Sequence, residues 1–260
     1  QETDFVTKSI LCVPLKAEKR ILGALEVINR KDDDFFGDVD LEIFQALAGF
    51  AAVAIDNARL AHDLERLFRD SVRSLVNLIE ASDAYTRGHS ERVTSYAGML
   101  VEAMGLSMEI KQSIETAGML HDIGKIGIGP EIIRKPGKLS DEEFKIIQQH
   151  PEIGFRSVKD IHLLEGVLPG ILHHHERFDG RGYPRGLAGE EIPFMARIIA
   201  IADTYDAMTS TRPYRPALPV EVALAEIERC AGTQFDPRLV PFFIRAIREA
   251  AASGSAPVSA

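Results

Sequence analysis

The stretch His121-Asp122-Ile123-Gly124-Lys125 stands at the end of an apolar segment with helical periodicity. Imidazole nitrogens and carboxylate oxygens are both metal ligands, and a carboxylate can also bridge two ions. Neighbours on a helix point about 100° apart, so the side chains of His121 and Asp122 leave the same turn in different directions. Asp122 is therefore a candidate bridge between a metal held by His121 and a second metal.

Five further candidate ligands stand at a distance on either side of this pair, enough in total for two metal ions: His89, His150, His174, His175 and Asp203. Asp203 falls in a predicted helix, 193–208, on a face that is otherwise apolar. Because a carboxylate buried alone is costly, we expect Asp203 to be a ligand. The alternative is a buried carboxylate that backbone groups or an arginine such as Arg197 neutralise.

Three of the histidines, His173, His174 and His175, are consecutive. The rotation of a helix means that all three cannot face one ion equally, but two of them can converge on a site at a helix end. We assign the third, His173, to a surface or hydrogen-bonded position, and we do the same for His62 and His162.

The composition is that of a globular protein with 260 residues and a net charge of −9, long enough for one large or two modest domains. No basic surface dominates, which argues against binding to a nucleic-acid polymer. Cys12 and Cys230 are too few for a disulfide framework, so we expect a reducing, cytoplasmic compartment. There is no signal peptide and no apolar run near the ~20 residues of a membrane span. Because the chain starts at Gln1 inside a hydrophobic pattern, we expect it to be a piece of a longer protein.

The hydrophobic periodicity predicts a mainly α chain with a small β portion at its start. Runs 9–15 and 21–28 are β-rich, and a helical pattern extends from about Asp40 to Ile79 with Gly49 as its one glycine. A helix of that length suggests a connector between domains. Its apolar stripe either pairs with a second copy as a coiled coil or packs on the chain's own domains. Seven more helices are predicted over 90–104, 107–121, 140–149, 163–174, 193–208, 219–230 and 237–251.

A series of separated motifs resembles the HD-GYP domain, a subgroup of the HD metal-dependent phosphohydrolases. The matching residues are His121-Asp122 with Gly124-Lys125, His174-His175-Glu176, Asp179-Gly180, Gly182-Tyr183-Pro184, Gly186-Leu187 and Gly189. The resemblance covers most of residues 80–250, including Arg212-Pro213-Tyr214-Arg215. It implies an all-α fold and an enzyme, a cyclic di-GMP phosphodiesterase.

The resemblance also implies a metal centre and the roles of its ligands. His89, His121, Asp122 and Asp203 would hold one divalent metal, and Asp122 would bridge to a second one held by His150, His174 and His175. We expect Fe or Mn, with Ni or Zn as alternatives. Some members hold a third metal through a Glu at the position of Tyr85. Glu80 and Asp83 stand at the wrong spacing to replace it, so we predict two metals.

Catalysis would proceed through a hydroxide that bridges the two metals and attacks the phosphorus, giving linear pGpG, GMP or both. Asp122 and Lys125 are the expected catalytic residues. Lys125, Arg212, Arg215 and Tyr183 are the expected substrate contacts, with an exposed solvated loop as the alternative for the arginines and a structural turn for the Gly-Tyr-Pro loop. The alternative functions are hydrolysis of another nucleotide, cyclic or not, and a catalytically silent cyclic di-GMP receptor or scaffold.

The N-terminal residues resemble the second half of a GAF sensory domain. The resemblance rests on Phe5-Val6-Thr7-Lys8-Ser9 through Pro14, Asn29-Arg30, Phe36 and Asp40. The expected domains are therefore a partial α/β GAF portion at 1–57, a connecting helix at 58–80, an HD-GYP domain at 81–251 and a disordered tail at 252–260. The expected partners are cyclic di-GMP, a second copy bound through the connecting helix, and signalling proteins.

Overall fold

The computed structural model describes residues 6–18, 20–31, 35–81, 88–135, 137–211 and 216–254. Two compact units divide the chain, Gln1–Asp70 and Ser71–Ala260. The predictions for Tyr85, Arg212 and Arg215 lie outside the described residues and stay predictions. Within the described residues, no helix combines the length and the apolar character needed to cross a membrane.

The first unit contains a β-hairpin and most of a long helix. Strands β1 (Ile10–Ala17) and β2 (Arg20–Ile28) pair antiparallel, with Ile10 opposite Ile28. Helix α1 (Asp38–Ala81) contains residues of both units. Its first turn carries Asp38 and Asp40, whose negative charges complement the positive end of the helix dipole. The predictions of two strands and one long helix are confirmed.

The second unit is helical, which confirms the mainly α prediction. Its helices are α2 (His89–Ala103), α3 (Met108–Leu120), α4 (Pro130–Ile133), α5 (Asp141–Ile147), α6 (His150–Val158), α7 (Leu168–His173), α8 (Phe194–Thr209), α9 (Val220–Arg229) and α10 (Val240–Ser253). Three short 3-10 helices lie between them, at Ile123–Gly127, His162–Val167 and Gly189–Glu191.

Helix α8 is the centre of this unit, since ten of its sixteen residues are buried. It packs against α2, α3, α7 and α9. Large apolar side chains such as Leu100 of α2, Ile114 of α3, Ile199 of α8 and Phe243 of α10 are almost fully buried. The core therefore fixes the relative positions of four elements, α2, α3, α7 and α8, that carry or adjoin the candidate ligands.

The observed helices differ from the predicted ones in several places, and the short helix α4 is one that was not predicted. Helix α6 was not predicted, because Pro151 and Gly154 resemble helix breakers. Pro151 occupies the first turn, where proline is tolerated, and a Cβ on Gly154 would lie 3.2 Å from the backbone N of Gly124. The predicted helix 163–174 is a 3-10 helix followed by α7. The predicted tail at 252–260 starts too early, because Ala252 and Ser253 belong to α10; residues 255–260 lie outside the described ones.

Candidate metal centre

All seven predicted ligands come together in the second unit, in two groups. One group consists of His89, His121 and Asp203, and the other of Asp122, His150, His174 and His175. Within each group, one potential ligand atom from every residue lies within 4.8 Å of the others. The sequence separates these residues by up to 114 positions, so the packing of the helices creates the cluster.

Asp122 belongs to the second group and also reaches the first. Its Oδ1 is 3.2 Å from Nε2 of His150 in one group. Its Oδ2 is 3.4 Å from Nε2 of His121 and 3.6 Å from Nε2 of His89 in the other. A carboxylate with one oxygen toward each group is suited to bridging two metal ions.

Three of the histidines have rings oriented by their own backbone. Nδ1 of His121 is 2.6 Å from the carbonyl of Gly118, Nδ1 of His150 is 2.7 Å from that of Ile147, and Nδ1 of His174 is 2.8 Å from that of Ile171. A carbonyl only accepts hydrogen bonds, so these Nδ1 atoms carry the proton. In a neutral ring Nε2 then has a free lone pair, which in all three cases faces the cluster.

These Nε2 atoms lie close together. Nε2 of His150 is 3.1 Å from Nε2 of His174, while Nδ1 of each ring already donates to a carbonyl. Among the described residues, the buried Nε2 of His121 has no hydrogen-bond partner. Burial and the neighbouring imidazoles hold the pKa of His174 well below its usual range, so its ring is neutral. Divalent cations would satisfy these atoms, and the donor set of imidazoles and carboxylates fits them.

His89 is held by side chains instead. Its Nδ1 is 2.7 Å from Oδ2 of Asp206, and its Nε2 is 3.3 Å from Oδ1 of Asp203. Burial lowers the pKa of His89, but the hydrogen bonds to Asp203 and Asp206 outweigh it and raise the pKa to about 9. Arg197, the predicted alternative partner of Asp203, instead donates to Asp236 at 2.6 Å. The alternative of an Asp203–Arg197 pair is therefore wrong.

Asp206 was not predicted as part of the site. It is 1% exposed, and its Oδ1 accepts a 2.6 Å hydrogen bond from Nε of Arg92. Burial raises the pKa of Asp206, but its hydrogen bonds to His89 and Arg92 lower the pKa by more than burial raises it. The carboxylate is therefore ionised. The signal in the sequence was its spacing, because Asp206 follows Asp203 by three residues and so shares a face of α8.

Gly124 and Lys125 follow Asp122 in the first 3-10 helix. A Cβ at Gly124 would lie 1.9 Å from the carbonyl oxygen of His150, so only glycine allows α6 to approach this closely. Nζ of Lys125 donates to Oδ2 of Asp122 at 2.5 Å. Burial raises the pKa of Asp122, but the charge of Lys125 leads the interactions that hold it well below its usual range.

The Gly-Tyr-Pro loop forms one wall of the centre. The Tyr183 ring stacks on that of His175, with centroids 4.7 Å apart. A Cβ at Gly182 would lie 2.4 Å from the backbone N of Arg177, so the loop folds tightly at this position. Burial, followed by the charges of Asp122 and Asp203, raises the pKa of Tyr183, so its phenol is neutral near pH 7. The contact with His175 favours a role in the site beyond that of a turn.

Glu176 and Glu80 are buried acids that stabilise the backbone around the centre. Glu176 is 3% exposed and accepts hydrogen bonds from the backbone N–H groups of Arg185 at 2.7 Å and Leu187 at 3.1 Å, which fixes the loop. The two carboxylate oxygens of Glu80 accept from the N–H groups of Gly88 at 2.7 Å and Ser90 at 2.8 Å. Glu80 therefore caps the start of α2.

Two stretches of the chain match known protein families. Residues 73–239 match the HD domain family. The chain belongs to the HD-domain family. Residues 1–55 match the GAF domain. The predicted HD domain preceded by a GAF portion is thereby confirmed.

Three curated relatives of this HD domain are phosphodiesterases by name. The cyclic di-GMP phosphodiesterase response regulator RpfG of Xanthomonas campestris is 40% identical over 75% of this chain and 52% of its own. A cyclic di-GMP phosphodiesterase of Thermotoga maritima is 44% identical over 70% of this chain and 50% of its own. The 3'3'-cGAMP-specific phosphodiesterase 3 of Vibrio cholerae is 38% identical over 64% of this chain and 36% of its own. The chain thus spans about half the length of the first two.

Solved structures confirm the HD fold. A crystal structure of a cyclic GMP-AMP specific phosphodiesterase of Vibrio cholerae aligns with a TM-score of 0.55 over 72% of this chain and 50% of that one. The two sequences are 21% identical over the alignment, so this likeness concerns the fold alone.

Proposed function

We propose that this HD domain is a metal-dependent phosphodiesterase that hydrolyses cyclic di-GMP to linear pGpG, GMP or both. The observation that carries the proposal is the pair of ligand groups with Asp122 between them. Such an arrangement serves in-line displacement at phosphorus, in which attacking and leaving oxygens both need stabilisation. The names of the relatives from Xanthomonas campestris and Thermotoga maritima support the substrate.

The centre would hold two divalent ions, Fe or Mn first and Ni or Zn second. His89, His121 and Asp203 would hold one, His150, His174 and His175 the other, and Asp122 both. Two features support a count of two. The acid that would bind a third metal is replaced by Tyr85, and both oxygens of the nearby Glu80 already accept backbone N–H groups.

When bound, two such ions would lower the pKa of a water molecule and neutralise charge on the phosphoryl oxygens. The residues of the chain do the rest. Nδ1 contacts keep the histidine lone pairs aimed inward, and Asp122 offers one oxygen to each side. Lys125, 2.5 Å from Asp122, supplies a cation next to the reacting phosphate. Tyr183 provides an aromatic wall for the substrate, and Arg212 and Arg215 would bind its phosphates through their forked donors.

The decisive experiment is turnover of cyclic di-GMP by protein purified anaerobically and reconstituted with Mn²⁺, Fe²⁺, Ni²⁺ or Zn²⁺, wild type against Asp122→Ala. We expect the wild type to release pGpG or GMP and the variant to lose at least about a hundredfold in rate and most of its metal. Full metal content in the wild type without turnover under any of the four metals would overturn the proposal.

A second substrate is favoured by the relative from Vibrio cholerae, a 3'3'-cGAMP-specific phosphodiesterase whose 38% identity lies close to that of the others. The same assay with 3'3'-cGAMP separates the two. A higher kcat/KM for 3'3'-cGAMP than for cyclic di-GMP would transfer the assignment to the mixed dinucleotide.

We also propose that residues 1–57 are the sensory portion, 58–80 a connecting coiled coil between two copies, and 81–251 the catalytic domain. Exposed side chains on α1 recur at intervals of three and four residues, the spacing of a coiled-coil seam, which begins in the sensory portion and continues into the connecting segment: Ile43, Ala46, Phe50, Val53, Asn57, Leu60, Leu64 and Leu67. A single Asn in such a seam specifies register and oligomer state. Sedimentation of a monomer at micromolar concentration would contradict the dimer.

A further inference from the structure

Four histidines of the centre have a defined Nδ1 partner among the described residues. His121 and His174 directly follow α3 and α7, and His150, the first residue of α6, lies three residues after the end of α5. The last carbonyls of a helix have no partner within it, and each of these three rings uses one of them. His89 is the first residue of α2, and its Nδ1 faces a side chain instead of a carbonyl.

The start of a helix leaves backbone N–H donors without a partner in the helix. The N–H groups on either side of His89 already donate to Glu80. A metal-binding His89 keeps its proton on Nδ1 and therefore needs an acceptor there. That acceptor is Oδ2 of Asp206 on α8, at 2.7 Å.

Asp206 is itself tightly oriented. Arg92, one turn after His89 on α2, donates from Nε to Oδ1 at 2.6 Å and from Nη2 to Oδ2 at 3.1 Å. Ser210 donates from Oγ to Oδ1 at 3.2 Å. The Asp206 side chain is 2% exposed, so water does not compete for these bonds. Both carboxylate oxygens are fixed, and with them the plane of the His89 ring.

We propose that Asp206, fixed by Arg92, is the positioning residue for His89 and thereby sets the affinity of one metal position only. That position is the one formed by His89, His121 and Asp203. In the other position the backbone orients His150 and His174, and among the described residues Asp206 contacts none of its three histidines. This inference rests on the proposed two-metal centre.

The test is Mn²⁺ binding to the chelator-stripped full chain, wild type against Asp206→Asn. Free Mn²⁺ is followed by its electron paramagnetic resonance signal, and bound Mn²⁺ by whether its spectrum is that of a coupled pair. We expect the wild type to bind two ions as a coupled pair. Asp206→Asn should keep one ion within about threefold of its original affinity and bind the other about 10- to 100-fold more weakly, with an uncoupled spectrum.

Asp236→Asn is the matched control. Asp236 is as buried as Asp206 and is likewise paired with arginines, Arg197 and Arg238, but no described histidine contacts it. The Asp236→Asn variant should bind two ions as the wild type does. If Asp206→Asn fails to fold, Arg92→Lys serves instead, because it keeps the charge but loses the fork. It should weaken the same single ion by a smaller factor.

Three results would overturn the proposal: two unweakened ions in Asp206→Asn, parallel weakening of both ions, or the same selective loss in Asp236→Asn. Failure of the proposed function has a different signature. A wild type with two ions and a selective loss in Asp206→Asn, yet without turnover of either cyclic dinucleotide, would refute the phosphodiesterase and leave the positioning role intact.

Discussion

His89 differs from His121, His150 and His174 in how its ring is held. The latter three use a carbonyl three residues earlier in the chain, at 2.6 to 2.8 Å, so their ring orientation follows from local backbone geometry. His89 depends on a carboxylate 117 residues away. The centre is therefore built in two ways. His121, His150 and His174 should be sensitive to displacement of the backbone, and His89 to substitution of the side chains that hold it.

The largest effect should come from disturbing the backbone that carries His150. In Gly124→Ala the new Cβ would lie 1.9 Å from the carbonyl oxygen of His150 and 2.5 Å from the backbone N of Gly154. Neither is the end of a flexible side chain, so α6 has to move. We expect a loss of about 3 kcal/mol in unfolding free energy and loss of the Mn²⁺ bound by His150. Denaturant unfolding and metal content measure both.

Gly166→Ala is the control for that substitution. No atom lies within 4 Å of a Cβ built at Gly166, which has an ordinary backbone conformation. Its stability should stay within about 0.5 kcal/mol of the wild type. Equal stabilities for Gly124→Ala and Gly166→Ala would show that α6 adapts easily. The claim that backbone packing determines the position of His150 would then be wrong.

A smaller effect should follow removal of the arginine that fixes Asp206. Arg92→Gln leaves a buried carboxylate with His89 and Ser210 as its remaining side-chain partners, which we expect to cost about 2–3 kcal/mol in unfolding free energy. Arg73→Gln tests an ion pair between α1 and α2, Arg73 with Glu91 at 2.7 Å, in which both side chains are exposed. There the cost should be under about 1 kcal/mol. Similar losses of unfolding free energy in the two variants, measured by urea denaturation, would contradict the claim that burial makes the Arg92–Asp206 pair more important for stability.

The sequence was informative wherever residue type alone carries the chemistry. The seven ligands could be predicted because their residue types bind metals and because the motifs around them resemble the HD-GYP domain, and the structure brings all seven together. The long helix and the two strands could be predicted because their apolar periodicity is uninterrupted. The number and identity of the metals, the coiled-coil dimer and the roles of Arg212 and Arg215 stay predictions.

What the sequence could not show depends on close packing. Helix α6 was missed because Gly154 signals a break, whereas here it permits close contact between two backbones. The role of Asp206 was missed because it exists only once α2 packs on α8. Glu176 is similar, since its two N–H partners lie nine and eleven residues away in an irregular loop. In each case a contact between elements decides the role.

The smallest effect should come from the outermost contact of the Asp206 cluster. Ser210→Ala removes one neutral hydrogen bond of 3.2 Å while Arg92 and His89 keep both carboxylate oxygens occupied. We expect a loss of about 1 kcal/mol in unfolding free energy and less than about a threefold change in Mn²⁺ affinity. A larger change, comparable with that of Arg92→Gln, would mean that Asp206 is held cooperatively by all its donors. His89 would then rely on the whole cluster, and the contrast with the backbone-held histidines would be sharper still.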